Sequence, residues 1–417
     1  MTRVVLPIAA TLLLSVALPG FAAETPGHDQ GIEQEFMFDP DALPEPYTVD
    51  PATASAPPKQ IARGSFTPIV VPGFTVALFA EVQNPRRLLV NTENQLIVAQ
   101  QALNSVVLMD DPTLDGHADR MRYVVQGALN PFGLGVVQSG ERAGDYLLAD
   151  QDAVYQLPKF GGGDGFLQLT DTGDFGDPGG HITRDLAVAP DNSLYVAVGS
   201  LSNLDAGEPE VKATIQHFSA DGKTQTTFAS GLRNVTGMAF EPTTGALYAV
   251  VMERDGMGDD LVPDFLTRVE EGDNFGWPYQ YIGGHVQPEF RDTAPKLAAA
   301  KTPDVLFEAH SAPLDIAFIP EGWPKDWVGD ALVVLHGSSN AADPRGYKVV
   351  RVPFENGRPT GGYVNFMTGF WVSGDTPAEV WGRPSSLAFG LDGVLYVADD
   401  LGDTVWSVTP TAAPFAN

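Results

Sequence analysis

The sequence predicts an all-β protein, and within that class a six-bladed β-propeller. From Phe66 onward it consists of short Val, Leu, Phe and Tyr runs broken by Gly, Asp, Asn and Pro, with little helical periodicity. One strand–turn–strand pattern recurs through that whole stretch. Copies spaced roughly 45 to 80 residues apart fit a ring of sheets, each burying its faces only against its neighbours. Two separate β-sandwiches would not repeat one motif from end to end.

Taken in order, the chain opens with Arg3, an apolar run from Val4 to Leu18, and small residues at Gly20, Ala22 and Ala23. This predicts an export signal over residues 1–23 and a periplasmic or secreted product. The run is too short for a membrane span, and no later segment is apolar enough to be one. Residues 24–65 are rich in Pro, Asp, Glu and Ala and predict an irregular, partly disordered lead-in. The propeller is expected over 66–412. Its clearest copies are Leu186–Ala189 with Leu194–Ala197, Met238–Phe240 with Ala246–Ala249, and Leu387–Phe389 with Gly393–Ala398. Weaker copies begin at Leu88, Leu134 and Ile316. The longest spacings predict insertions after blades four and five that build up one rim.

Composition narrows the partners. A formal charge of -29 leaves no basic footprint for nucleic acid or an anionic membrane. Cysteine is absent, so neither disulfides nor thiolate metal sites contribute. Stability must come from a packed core, which a chain with 43% hydrophobic residues can supply.

In a ring of this kind, the residues just before each inner strand converge on the axis. That places Asn130, His181, Arg233, Asn234, His310 and Arg383 around one mouth, with His336 nearby. His181 follows Gly179 and Gly180, which permit close approach of a ligand, and a neutral imidazole there can take a proton from a hydroxyl. Arg233 and Arg383 suit carboxylates or charge developing on oxygen. The stretch Glu253–Asp260 crowds four acidic residues onto a turn with two glycines, a combination suited to a hard cation bound through oxygen. A solvated Asp-Gly hairpin explains it equally well.

Seven segments, taken together, resemble the soluble PQQ-dependent glucose/sorbosone dehydrogenase family, closest to its sorbosone or pyranose dehydrogenase branch. They are Gly180–Arg184, Gly231–Asn234, Glu253–Asp260, Asn274–Pro278, His336–Asn340, Gly346–Val350 and Gly382–Pro384. The resemblance implies a six-bladed propeller using pyrroloquinoline quinone (PQQ) and calcium. It implies that His181 takes the proton from a sugar hydroxyl while hydride passes to the quinone, and that Arg233 lies near the quinone oxygen. It further implies cofactor contacts from Asn234, His336 and Arg383, and calcium held by main-chain carbonyls near Asp255 and Gly256. The sequence departs from the family in three places. His336 stands where glucose dehydrogenases carry lysine. Asp255-Gly256 replaces a common Gly-Pro, and Ala341 follows Asn340 where an arginine is usual.

The expected function is therefore an exported oxidoreductase acting on an aldose, a sorbosone-like aldehyde or a pyranose, passing electrons to a cytochrome c or quinone. Two other readings share the architecture: a calcium-dependent lactonase or other hydrolase, and a non-catalytic binding propeller. The first would want more Asp, Glu and Asn on the axis than the Arg- and His-rich set found here.

Overall fold

A computed structural model describes residues 27–48, 56–158, 166–293 and 298–411; the expected export signal lies outside them. Among the described residues there are strands and three single-turn 3-10 helices, but no α-helix. Among the described residues no helix is long and apolar enough to cross a membrane.

Six antiparallel sheets carry the fold, each with a four-stranded core. The first comprises Arg87–Val90, Leu96–Gln100, Ser105–Asp110 and Arg120–Gln126. The second begins at Gly133–Val136, the third at Leu186–Val188, the fourth at Asn234–Phe240, the fifth at Pro313–Phe318 and the sixth at Pro384–Phe389. Each innermost strand contacts the next around the circle, the sixth returning to the first. The outermost strand of the sixth sheet is Phe74–Glu81, from the beginning of the body, paired antiparallel with Thr404–Pro410. Chain start and chain end thus share one sheet, and the ring closes.

Local sequence explains the sheets. Middle strands such as Leu96–Gln100 and Ala331–Leu335 are buried along their whole length because neighbouring sheets cover both faces. They therefore read as unbroken apolar runs instead of alternating ones. The first two strands of the third and sixth sheets turn at Asp191-Asn192 and Asp392-Gly393, where Asn192 (φ 69°) and Gly393 (φ 81°) supply the left-handed residue. All six repeat copies read from the sequence are the first two strands of a sheet. The extra length lies partly inside sheets. Residues 270–304 separate the third and fourth strands of sheet four, and 336–347 separate the second and third of sheet five.

The lead-in differs from its expectation. Within residues 27–48, Glu35–Met37 pairs with Gly362–Val364 as an added edge of the fifth sheet. Asp29 is fully buried and forms an ion pair with fully buried Lys348 at 2.9 Å, an anchor that composition alone does not reveal.

Beneath the mouth, the innermost strands are tied across the axis. Arg87 of the first sheet forms an ion pair with Asp185, just before the third, at 2.8 Å, and both pairs with and hydrogen-bonds Asp315 of the fifth. Asp315 in turn accepts Ser386 Oγ and Leu387 N–H from the sixth sheet. All three charged residues are buried. Arg87→Leu leaves two carboxylates facing one another without their cation, and should cost about 3–5 kcal/mol in denaturant unfolding. A loss below about 1 kcal/mol would show that the ring does not lean on this network.

Candidate active site

His181, Arg233, Asp255, His310, His336 and Arg383, all picked from the sequence, line one cavity of about 330 Å³ with Glu253, Asp264, Ser339 and Asn340. Asn234 lies just behind it, buried in the first strand of sheet four. Asn130 is not brought there. It takes a left-handed turn (φ 50°), and its amide donates to Gln151 at 2.8 Å. Gly256 (φ 91°) turns the acidic loop without lining the cavity.

The position of His181 follows from its backbone. Gly180 (φ 60°) brings the chain so near Leu201 that a Cβ would stand 2.3 Å from its Cα. The His181 N–H and Nδ1–H both donate to the Ser200 carbonyl, at 3.0 and 2.9 Å. That fixes the tautomer and leaves Nε2 as the free lone pair. Burial, reinforced by the Arg233 guanidinium, pulls this imidazole down to about 4. At neutral pH it is an uncharged base.

Arg233 is held entirely by oxygens that carry no charge. It donates to the Asn203 carbonyl (3.1 Å), Asn203 Oδ1 (3.1 Å), the Glu253 carbonyl (2.8 Å) and, at 3.4 Å, the Met252 carbonyl. One Nη2 hydrogen remains free, since a guanidinium has five. Arg383 likewise donates to the carbonyls of His336 (3.0 Å) and Gly337. Among the described residues, neither arginine forms an ion pair with a carboxylate.

His336 is not the cation that its alignment with a lysine would require. Burial and the flanking Arg383 guanidinium push its imidazole down to about 3. As a neutral ring it donates from Nε2 to Asp400 at 2.9 Å, while an ion pair with Arg86 keeps Asp400 ionised. Arg86 Nη1 stands 3.3 Å from His336 Nε2, so the positive charge on this side comes from Arg86 and Arg383. Arg86 was missed, although it immediately precedes the first inner strand, the very repeat position that singled out the others. His310 behaves oppositely. Despite burial, bonds to the Asp255 carboxylate (3.2 Å) and the Gly258 carbonyl (3.0 Å) raise its pKa, so it serves as a doubly donating staple of the acidic loop.

The cavity is thus cationic inside a strongly anionic protein. Burial pushes Glu253 and Asp264 up to about 7, so these acids carry only part of their charge at neutrality, whereas the guanidiniums keep theirs. Asn234 Oδ1 is buried without a hydrogen-bond partner. A planar, multiply anionic group with hydrogen-bonding edges fits this set of donors. On the acidic loop, part of the carbonyl set suited to calcium is already engaged by the protein. The Asp255 carbonyl already accepts Asn203 Nδ2 and Arg254 Nε, each at 3.0 Å, and the Asp259 carbonyl accepts Arg345 at 3.1 Å. No group of three or more His, Asp or Glu side chains among the described residues is arranged to hold a metal.

A family profile described as TrAA12-like matches residues 68–265 and 266–411. The chain belongs to the TrAA12-like family. The resemblance to the PQQ-dependent sugar dehydrogenase family is borne out at that level. A relative from Borreliella burgdorferi, itself an uncharacterized protein, is 29% identical over 232 residues, covering 55% of this chain and 60% of that one. The holo PQQ domain of pyranose dehydrogenase from Coprinopsis cinerea superposes with a TM-score of 0.68 at 20% identity, over 82% of this chain and 97% of that one. A calcium structure of a Trichoderma reesei enzyme of family AA12 gives 0.68 at 20% identity, over 86% and 100%. A PQQ-bound aldose sugar dehydrogenase from Streptomyces coelicolor gives 0.56 at 17%, over 82% and 100%. At such identities these likenesses speak for the fold.

In this TrAA12-like chain Gly199 lies between His181, which lines the cavity, and Asn234 behind it. A Cβ there would stand 2.6 Å from both His181 Cβ and Asn234 Oδ1. Gly199→Ala is expected to destabilise by about 1–3 kcal/mol and to displace the His181 ring in a crystal structure of the variant. A ring left in place would contradict the packing described.

Proposed function

We propose that the chain is a PQQ-dependent dehydrogenase of a sugar or related aldehyde: an aldose, a pyranose or a sorbosone-like substrate. One observation carries this reading. Two guanidiniums, buried Arg233 and half-buried Arg383, face a cavity with no carboxylate paired to them, in a chain of net charge -29. Buried charges without counterions are costly unless a ligand supplies the opposite charge. PQQ is such a ligand, and when bound it accepts the hydride that leaves the substrate carbon.

The residues of the chain do the rest. His181 presents Nε2 to the substrate hydroxyl and takes its proton as the carbon–hydrogen bond breaks. Ser200 keeps the ring in the one tautomer able to do so. Arg233, with one Nη2 hydrogen spare, would offer positive charge to an oxygen of the bound cofactor. Arg383, with Arg86 behind it, would hold a carboxylate of the cofactor. Calcium enters this proposal only as an ion that would have to displace Asn203 and Arg254 from the Asp255 carbonyl. We place the working protein outside the cytoplasm, with a cytochrome c or quinone as final acceptor, in keeping with the amino-terminal sequence. The lactonase reading gains nothing from a loop whose carbonyls already serve arginine and histidine.

Protein incubated with PQQ should reduce an artificial dye when given aldoses. His181→Ala should lower kcat by about 10²–10⁴-fold with the fold intact. The pH profile follows from the sign of the His181 shift. The base form persists below the ordinary value of 6.5, so the rate should hold as pH falls and drop only near about 4. A break at an ordinary histidine value would contradict the assigned base.

A further inference from the structure

The reading above uses His181 and Arg233, which come from different sheets, and does not say what keeps them in register. The connection between the second and third strands of sheet three passes over both. Its Ser200 carbonyl accepts two donors from His181, and Ser200 Oγ stands 3.1 Å from the same Nδ1. The Ser200 N–H donates to the Arg233 carbonyl at 2.9 Å. Three residues on, Asn203 accepts Arg233 Nε on its carbonyl and Nη2 on its side chain. That side chain also exchanges two bonds with the Asp255 backbone, at 2.9 and 3.0 Å. One short turn therefore contacts the base, the guanidinium and the acidic loop.

A turn of this length is poorly determined by its own backbone, because four residues outside regular structure keep much of their conformational freedom. Something must fix it. Glu208 does so: its carboxylate accepts the Leu201 N–H at 2.7 Å, the Ser202 N–H at 2.8 Å and Ser202 Oγ at 2.8 Å. The Ser200 hydroxyl then donates to the Ser202 carbonyl at 2.7 Å, closing the turn on itself. A forked carboxylate on two successive amides is a strong local constraint. Glu208 itself does not line the cavity.

We propose that Glu208 is a positioning residue, which acts through the turn 200–203 to set the tautomer of His181 and the pose of Arg233. It touches neither the reacting atoms nor the cofactor. Removing its carboxylate frees two amides, lets Ser200 swing, and allows the imidazole to exchange its Nδ1 proton for an Nε2 proton. A base in the wrong tautomer presents N–H to the substrate hydroxyl and cannot accept its proton. Among the described residues no other side-chain carboxylate accepts a hydrogen bond from this turn, and Asp255 meets it only through its backbone, so the effect is specific to this position. The inference rests on the proposed role of His181 only for its consequence in catalysis; the positioning itself is a property of the protein alone.

The test separates those two layers. Nitrogen-15 NMR of the full chain without any cofactor reads the His181 tautomer directly. Wild type should show a single species protonated on Nδ1. Glu208→Ala should show a mixture of tautomers, while Glu208→Gln, which keeps one acceptor oxygen, should fall between. With PQQ and an aldose, Glu208→Ala should lose on the order of tenfold to a hundredfold in kcat with KM within about threefold. If Glu208→Ala does not fold, Ser202→Ala removes only the hydroxyl contact and should still broaden the tautomer signal. An unchanged Nδ1-protonated species in a folded Glu208→Ala protein would overturn the inference. A tautomer shift in a protein that oxidises no sugar would uphold the inference and sink the dehydrogenase reading instead.

Discussion

The structure turns on how one buried guanidinium holds the centre of a ring. Arg87, on the first innermost strand, reaches Asp185 just before the third and Asp315 on the fifth, and its guanidinium stands 5.6 Å from the ring of Phe132, just before the second. Inner strands of a propeller run side by side and share few backbone hydrogen bonds, so nothing in their ladders fixes one against the next. A charge network across the axis can do this. Burial raises Asp185 to about 6 while Arg87 pulls the other way, so the carboxylate keeps its charge mainly because its partner is there. Everything at the mouth is measured from strands tied in this manner.

Above that network the protein inverts its own electrostatics. The surface is acidic, yet the cavity gathers guanidiniums whose donors end on peptide carbonyls. Carbonyls can hold an arginine in place without cancelling its charge, and the field stays available for a ligand. The acidic side chains nearby are those that burial partly neutralises, or that are engaged elsewhere: Asp255 by His310, and Asp400 by Arg86 and His336. The acidic loop is consequently a scaffold for cations of the protein as much as a place for a metal ion.

Much of this was legible in the sequence, because a repeat carries both the fold and the position of its site. Every copy that was read became the first hairpin of a sheet, and, Asn130 apart, the residues picked before those copies met in or directly behind one cavity. The failures have physical causes. Asn130 occupies the right place in its repeat, but a left-handed turn swings its amide to Gln151. Arg86 was overlooked because the first copy was weak, though its position was the signal. The neutrality of His336 depends on two arginines distant in sequence, and the burial of Asp29 depends on Lys348, 319 residues further along. Neither local pattern nor composition encodes such pairings.

The central claim is that the cavity is built to receive a multiply charged anion on Arg233 and Arg383. Titrating PQQ into the purified protein, while following its absorbance, measures this most directly. The account predicts saturation at one equivalent with micromolar or tighter affinity. The Arg233→Ala, Arg383→Ala double variant should bind at least about thirtyfold more weakly, equivalent to roughly 2 kcal/mol or more for a truncated buried charge contact. Failure of PQQ to bind, or equal affinity in the double variant, would contradict it.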